Sequence, residues 1–138
     1  MKRKPPTVSK LKKKAWSLFS KYLRMKYADA DGYCACYTCG TVKHYKELQA
    51  GHLLTGRGNA ILFEWNCVRP QCYVCNIIRN GNHEEYVPKF MAECGEEEFY
   101  RLKRLKKTVV KFSISELEDK IAELKEKIKG LEDETKKT

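Results

Sequence analysis

Residues 34–76 read CACYTCGTVKHYKELQAGHLLTGRGNAILFEWNCVRPQCYVCN, and two cysteine pairs frame them. Cys36-Tyr-Thr-Cys39, followed by Gly40, is separated by 32 residues from Cys72-Tyr-Val-Cys75. A CxxC turn offers two thiolates to one zinc ion, and two such turns complete a tetrahedral shell. Four thiolates leave no open position, so Zn2+ on Cys36, Cys39, Cys72 and Cys75 is expected to be structural. A redox role needs a thioredoxin-like βαβ order, which the surrounding pattern lacks. Cys34 lies close enough to compete for the site, but Gly40 favours the Cys36/Cys39 turn. His44 is near enough to be an alternate ligand. Cys67 and Cys94 read as small buried residues.

Outward from the cysteines, residues 48–53 read as a strand in which Gly51 lets another group approach the backbone. Residues 55–59 form a loop, and the large apolar residues of 60–65 read as the returning strand. Pro70 suits the first turn of a helix over 72–79, with Gly81 ending it. The expected order is knuckle, strand, loop, strand, helix.

A chain of 138 residues, 42% hydrophobic and 33% charged, fits one compact domain with an extension and a core small enough to need a staple. It contains no apolar run of about 18 residues, so no membrane span is expected. The basic N-terminus lacks the apolar stretch of a secretory signal, which points to the cytoplasm and favours metal over disulfides for the seven cysteines. The net charge of +10 is carried by residues 1–26, which hold ten Lys or Arg and no Asp or Glu. That imbalance suits a nucleic-acid partner, because basic side chains displace counterions from phosphates; the bland reading is a solubilising tail. Leu11, Ala15, Phe19, Tyr22 and Leu23 recur at helical spacing over residues 9–26, with Lys10, Lys12, Lys13, Lys14, Lys21 and Arg24 as candidate nucleic-acid contacts.

Beyond Gly81 the pattern is helical. Pro88 suits the first turn of a short helix, and Glu96-Glu97-Glu98 opens another. Ser113-x-x-Glu116 forms a capping box, with Phe112 and Leu117 as its hydrophobic staple, so a last helix starts at Ile114. Ile114, Leu117, Ile121, Leu124, Ile128 and Leu131 are spaced 3, 4, 3, 4, 3, with Ile at a and Leu at d. This pattern favours a parallel two-stranded coiled coil, hence a homodimer through residues 114–131. The alternative is a helix packed on its own domain.

Between the cysteine pairs stand His52 and Asn66, and Asn76 directly follows Cys75. This order resembles the HNH endonuclease motif. Ala50-Gly51-His52, Asn66, Gln71-Cys72-x-x-Cys75-Asn76 and Gly81-Asn82 are closer to the phage NinG (Rap) recombination proteins. The Cys75-Asn76 ending is also similar to the recombination endonuclease VII family, which resolves branched DNA. The resemblance covers roughly residues 33–95. It implies that His52 is a general base taking a proton from the water that attacks a phosphodiester. It implies that Asn76 binds a catalytic Mg2+ or Mn2+ through its carbonyl, and that Asn66 orients the imidazole. Arg57 and Arg69 become candidate phosphate contacts. Many HNH enzymes carry a metal-binding aspartate just before the base; Gln49, Ala50 and Gly51 stand there instead, leaving Gln49 or a carboxylate such as Glu64 to supply an oxygen.

The resulting expectation is a small α+β fold: a zinc-stabilised ββα-metal (HNH, His-Me finger) core over 33–95, a basic N-terminal helix in 1–32, and C-terminal helices in 96–138. The implied activity is metal-dependent hydrolysis of DNA phosphodiesters in branched recombination intermediates, in the bacterial host cytoplasm if the chain is phage-encoded. Its rivals are a nicking or homing endonuclease on ordinary duplex, and a non-catalytic zinc DNA-binding adaptor that dimerises.

Overall fold

The computed structural model describes residues 4–56 and 58–136. The first helix, α1 (Val8–Tyr27), starts where Pro5-Pro6 ends, and the Thr7 hydroxyl accepts the Lys10 amide at 3.2 Å. Leu11, Ala15, Phe19 and Leu23, four residues apart, form its buried stripe. Two short strands follow, β1 (Tyr33–Ala35) and β2 (Val42–His44), paired antiparallel around the Cys36/Cys39 turn. A second antiparallel pair, β3 (Gln49–His52) and β4 (Val68–Gln71), aligns Gln49 with Gln71 and His52 with Val68. Between its strands lies the single helical turn α2 (Asn59–Leu62). A π-wound turn, Val74–Ile78, follows β4 and leads to α3 (His83–Cys94), α4 (Glu96–Lys106) and α5 (Ile114–Lys136).

This is a mixed α+β fold, and it corrects three sequence expectations. The returning strand is β4, not residues 60–65. Ile61 and Leu62 are both buried; neighbours on a strand point to opposite faces, and a helical turn buries both against one core. Pro70 lies in β4 opposite Ala50 instead of opening a helix. Its carbonyl points away from β3 and accepts the Tyr37 amide at 2.9 Å, so its missing N–H costs the β3–β4 ladder nothing. The helix containing Pro88 begins five residues earlier, at His83, with Glu84 and Glu85 in its first turn.

The main core joins both ends of the chain to its middle: Phe19 and Leu23 meet Leu53, Ile61, Val68, Tyr86, Phe90, Leu102 and Leu124. Helix α5 starts as the capping box requires, with Ser113 Oγ accepting the Glu116 amide at 3.1 Å. Its heptad stripe, however, is covered inside the chain. Leu117 and Ile121 pack with Leu11 and Ala15 of α1, and Leu124 and Ile128 are buried too. Leu117, Ile121, Leu124 and Ile128, four of the six residues expected to form a seam through 114–131 with a second chain, are therefore buried within this one, while Ile114 is exposed and Leu131 half-buried, which corrects the basis for a homodimer. No described helix is long and apolar enough to cross a membrane.

Candidate functional site

The four sulfurs of Cys36, Cys39, Cys72 and Cys75 lie within 4.8 Å of one another. Cys39 Sγ and Cys72 Sγ are 3.7 Å apart, close to the edge of a tetrahedron built on Zn–S bonds of about 2.3 Å. The β1–β2 turn supplies one pair, and the end of β4 with the following π turn supplies the other. Burial raises the Cys36 thiol, but hydrogen bonds from Thr38 and from backbone amides outweigh it and bring it down to about 6. Burial and the neighbouring Cys75, Cys39 and Cys36 sulfurs push Cys72 up to about 12. One thiolate forms readily in this cluster and the next is resisted, a conflict that a bound dication removes. All seven cysteines are free. Cys34, Cys67 and Cys94 lie outside the cluster, and burial raises each of their thiols. His44 lies outside it as well; its Nδ1 accepts the Lys46 amide at 3.2 Å and caps a turn.

Beside the cluster runs a groove of about 590 Å³. Helix α1 contributes Trp16, Ser20 and Arg24 to one wall, β3 lays Gln49, Ala50 and His52 along the floor, and Asn76, Ile77 and His83 line the other wall. The His52 ring is buried and stacked on Trp16, with centroids 4.9 Å apart and planes 21° from parallel. Its Nε2 lies 3.3 Å from the Leu62 carbonyl. A carbonyl only accepts, so that contact requires the proton on Nε2 and leaves Nδ1 with the lone pair in the neutral ring. Asn76 Nδ2 donates to Gln49 Oε1 at 2.7 Å. Among the described residues lining the groove there is no carboxylate.

Two glycines set this geometry. A methyl group on Gly51 would stand 1.7 Å from Gln71 Oε1. Gln71 is fully buried, and its amide donates to Thr38 Oγ1 at 3.1 Å and to the Gly81 carbonyl at 2.9 Å. Gly81 has φ +94°, and a methyl group there would meet the His83 ring at 2.6 Å. Tyr86 completes the frame by donating its hydroxyl to the Gly51 carbonyl at 2.8 Å.

The profile of the bacteriophage lambda NinG protein matches residues 2–134, nearly the whole chain. The chain belongs to the NinG family. No curated protein and no solved structure gives a match.

Of the residues singled out in the sequence, this NinG family member brings His52, Gln49 and Asn76 into one groove. Asn66 does not line it; it lies by Glu98, whose carboxyl is held low first by Arg101 and further by Asn66. The Leu62 carbonyl contacts the imidazole, not Asn66, because the loop from β3 folds back through α2. Glu64 is also elsewhere, 3.5 Å from Arg101. Arg69 is 1% exposed and donates to the Trp65 and Val68 carbonyls and to Glu93, so it is a core residue and not a phosphate contact. Arg24 stands in the groove wall, but its guanidinium already binds the Tyr45 and Leu48 carbonyls at 2.8 and 3.1 Å. Arg57 lies outside the described residues. Along α1, Lys21 pairs with Glu132 at 3.5 Å. Lys12 and Lys13 border a recess shared with Trp16 and Leu62, while Lys10 and Lys14 are exposed.

Sequence reasoning did not single out Trp16 or His83, both of which line the groove. His83 is half-buried, its ring lies nearly parallel to Tyr86, and its Nε2 is shielded without a hydrogen-bond partner. The signal was local: it follows the Gly81-Asn82 turn, where Asn80, Gly81 and Asn82 all take left-handed φ.

Proposed function

We propose that this protein is a DNA endonuclease that hydrolyses phosphodiesters in branched recombination intermediates, with His52 as general base. The observation that carries the reading is that His52 lines the groove while its Nε2 rests against the buried Leu62 carbonyl. That contact supports a neutral ring with its lone pair on Nδ1, the atom that would take a proton from water, and Trp16 stacks on the ring. A satisfied core histidine would make the same bond but would not line a groove.

The groove's donors for a divalent cation are the amide heads of Gln49 and Asn76. Turning the Asn76 amide over would set its oxygen beside that of Gln49. Mg2+ and Mn2+ favour such hard oxygens, but resident sites for them ordinarily include carboxylates. The set fits a cation shared with a substrate phosphate, which supplies the missing negative charge. Such a cation would stabilise charge developing on the phosphate. A carboxylate-free wall beside Lys12 and Lys13 suits an anionic strand. A zinc ion closed by the four thiolates would hold the turn carrying Asn76.

The test is cleavage of labelled four-way junction, D-loop and linear duplex with Mg2+ or Mn2+, wild type beside His52→Ala, both shown folded by circular dichroism. Metal-dependent cutting of branched DNA that falls at least about 100-fold in the variant is expected, the size of a lost general base. Equal cutting of linear duplex would move the reading to a nicking enzyme. DNA binding without cutting would make the protein a zinc-dependent adaptor.

A further inference from the structure

The π-wound turn after β4 carries Cys75 into the cysteine cluster and leaves its other face bare. Tyr73, Val74, Ile77 and Ile78 are 54, 48, 47 and 62% exposed. Positions 73, 74, 77 and 78 fall on one side of a helical turn, so they form a single apolar ridge. Its position is set by the cysteines and by Asn76 at Gln49, not by burial of these four side chains. A contiguous apolar face on a chain that is 33% charged marks a contact surface.

What would cover it follows from what surrounds it. Ile77 belongs both to the ridge and to the groove containing His52. Exposed Arg79 and Asn80 follow directly, and the groove lining has no carboxylate among the described residues. A polyanion in the groove would therefore pass over the ridge. Apolar side chains gain little from phosphates; they gain from base faces, which intact duplex hides in its stack. Proteins that place apolar wedges against bases must first unstack them. At a branch point the stack is already interrupted.

We infer that Tyr73, Val74, Ile77 and Ile78 pack against the unstacked bases of a DNA branch and so confer preference for branched over linear DNA. This rests on the reading of the groove as a DNA site. It assigns to the ridge a selectivity that no hydrogen-bonding residue of the groove explains.

The experiment measures binding, apart from cutting, with a four-way junction and a linear duplex of the same arm sequence in EDTA. A 2-aminopurine base at the branch point reports stacking. Wild type is compared with Val74→Ser/Ile78→Ser, both on the ridge and outside the groove lining, and with Ile78→Ser alone, the milder change at the most exposed position; zinc content and circular dichroism verify folding. The double variant is expected to bind the junction about tenfold more weakly, the scale of one lost base-stacking contact. Duplex affinity should stay unchanged, and the 2-aminopurine response to protein should be lost. Retained junction preference would overturn the inference, as would equal losses on both DNAs. Ridge-dependent junction binding by a wild type that cuts nothing would sink the endonuclease reading and leave this one standing. Cutting that ignores the ridge variants would do the reverse.

Discussion

Replacing Gly51 by alanine tests the frame that holds His52. The added methyl would lie 1.7 Å from Gln71 Oε1, 2.6 Å from Cδ and 3.0 Å from Cγ, so the glutamine must leave. The end of a glutamine is normally mobile. This one is fully buried and held by Thr38 and Gly81, so it has no free direction in which to swing. Displacing it leaves the Gly81 carbonyl unmet, which costs about 1–3 kcal/mol. Crowding the strand costs about 1–3 kcal/mol more. Taking about 4 kcal/mol together, and about 2.1 cal/mol/K per residue for the unfolding entropy, Tm should fall by about 14 °C. Thermal melting of Gly51→Ala, Gln71→Ala and the double variant measures this. In the double variant the alanine at 51 no longer meets the glutamine head, so the two costs should fall short of adding by about 2 kcal/mol. A Gly51→Ala melt within about 3 °C of wild type, or two costs that simply add, would refute the reasoning.

Cys72→Ser should lose zinc and most of the cooperative melt, as atomic absorption and calorimetry would register; unchanged metal content would remove the structural site. Leu117→Asp should lower Tm steeply in dilute solution because it places a charge between α1 and α5 of one chain. A variant that keeps its Tm and halves its mass by light scattering would return the heptads to a second chain. Burial holds the Tyr86 phenol well above its ordinary value, and burial with Glu93 does the same for Tyr37. A raised folded value means this stability is complete below the unfolded value near 10 and is lost as pH climbs past it. Absorbance at alkaline pH should show these two ionising only with unfolding, and Tyr86→Phe should remove one of them; titration of both in the folded state would contradict the packing.

The legible parts of this protein were those governed by local chemistry. Ser113 caps a helix through the amide three residues on, and the cysteine spacing brings four sulfurs within 4.8 Å of one another. Gly51 announced a close approach, though not that Gln71 makes it. What stayed hidden depends on partners distant in sequence. An arginine at 69 looks like a phosphate ligand until Glu93 and two carbonyls surround it. The heptads of α5 display a stripe without saying what lies against it. Residues 60–65 form a short apolar run, and periodicity alone does not separate a strand from a helical turn in so few residues.

The docking of α5 on α1 bears on how the chain comes into being. At about 5–20 residues per second, the ribosome takes roughly five to twenty seconds to get from the end of the first helix to the end of the last. In that interval the four cysteines, both strand pairs and α3 are made in turn, while Leu11 and Ala15 wait without Leu117 and Ile121. The nascent protein thus passes through a stage in which the four clustered cysteines are made and a basic, apolar helix is still without its cover. That helix is covered only once Leu117 and Ile121 have been added.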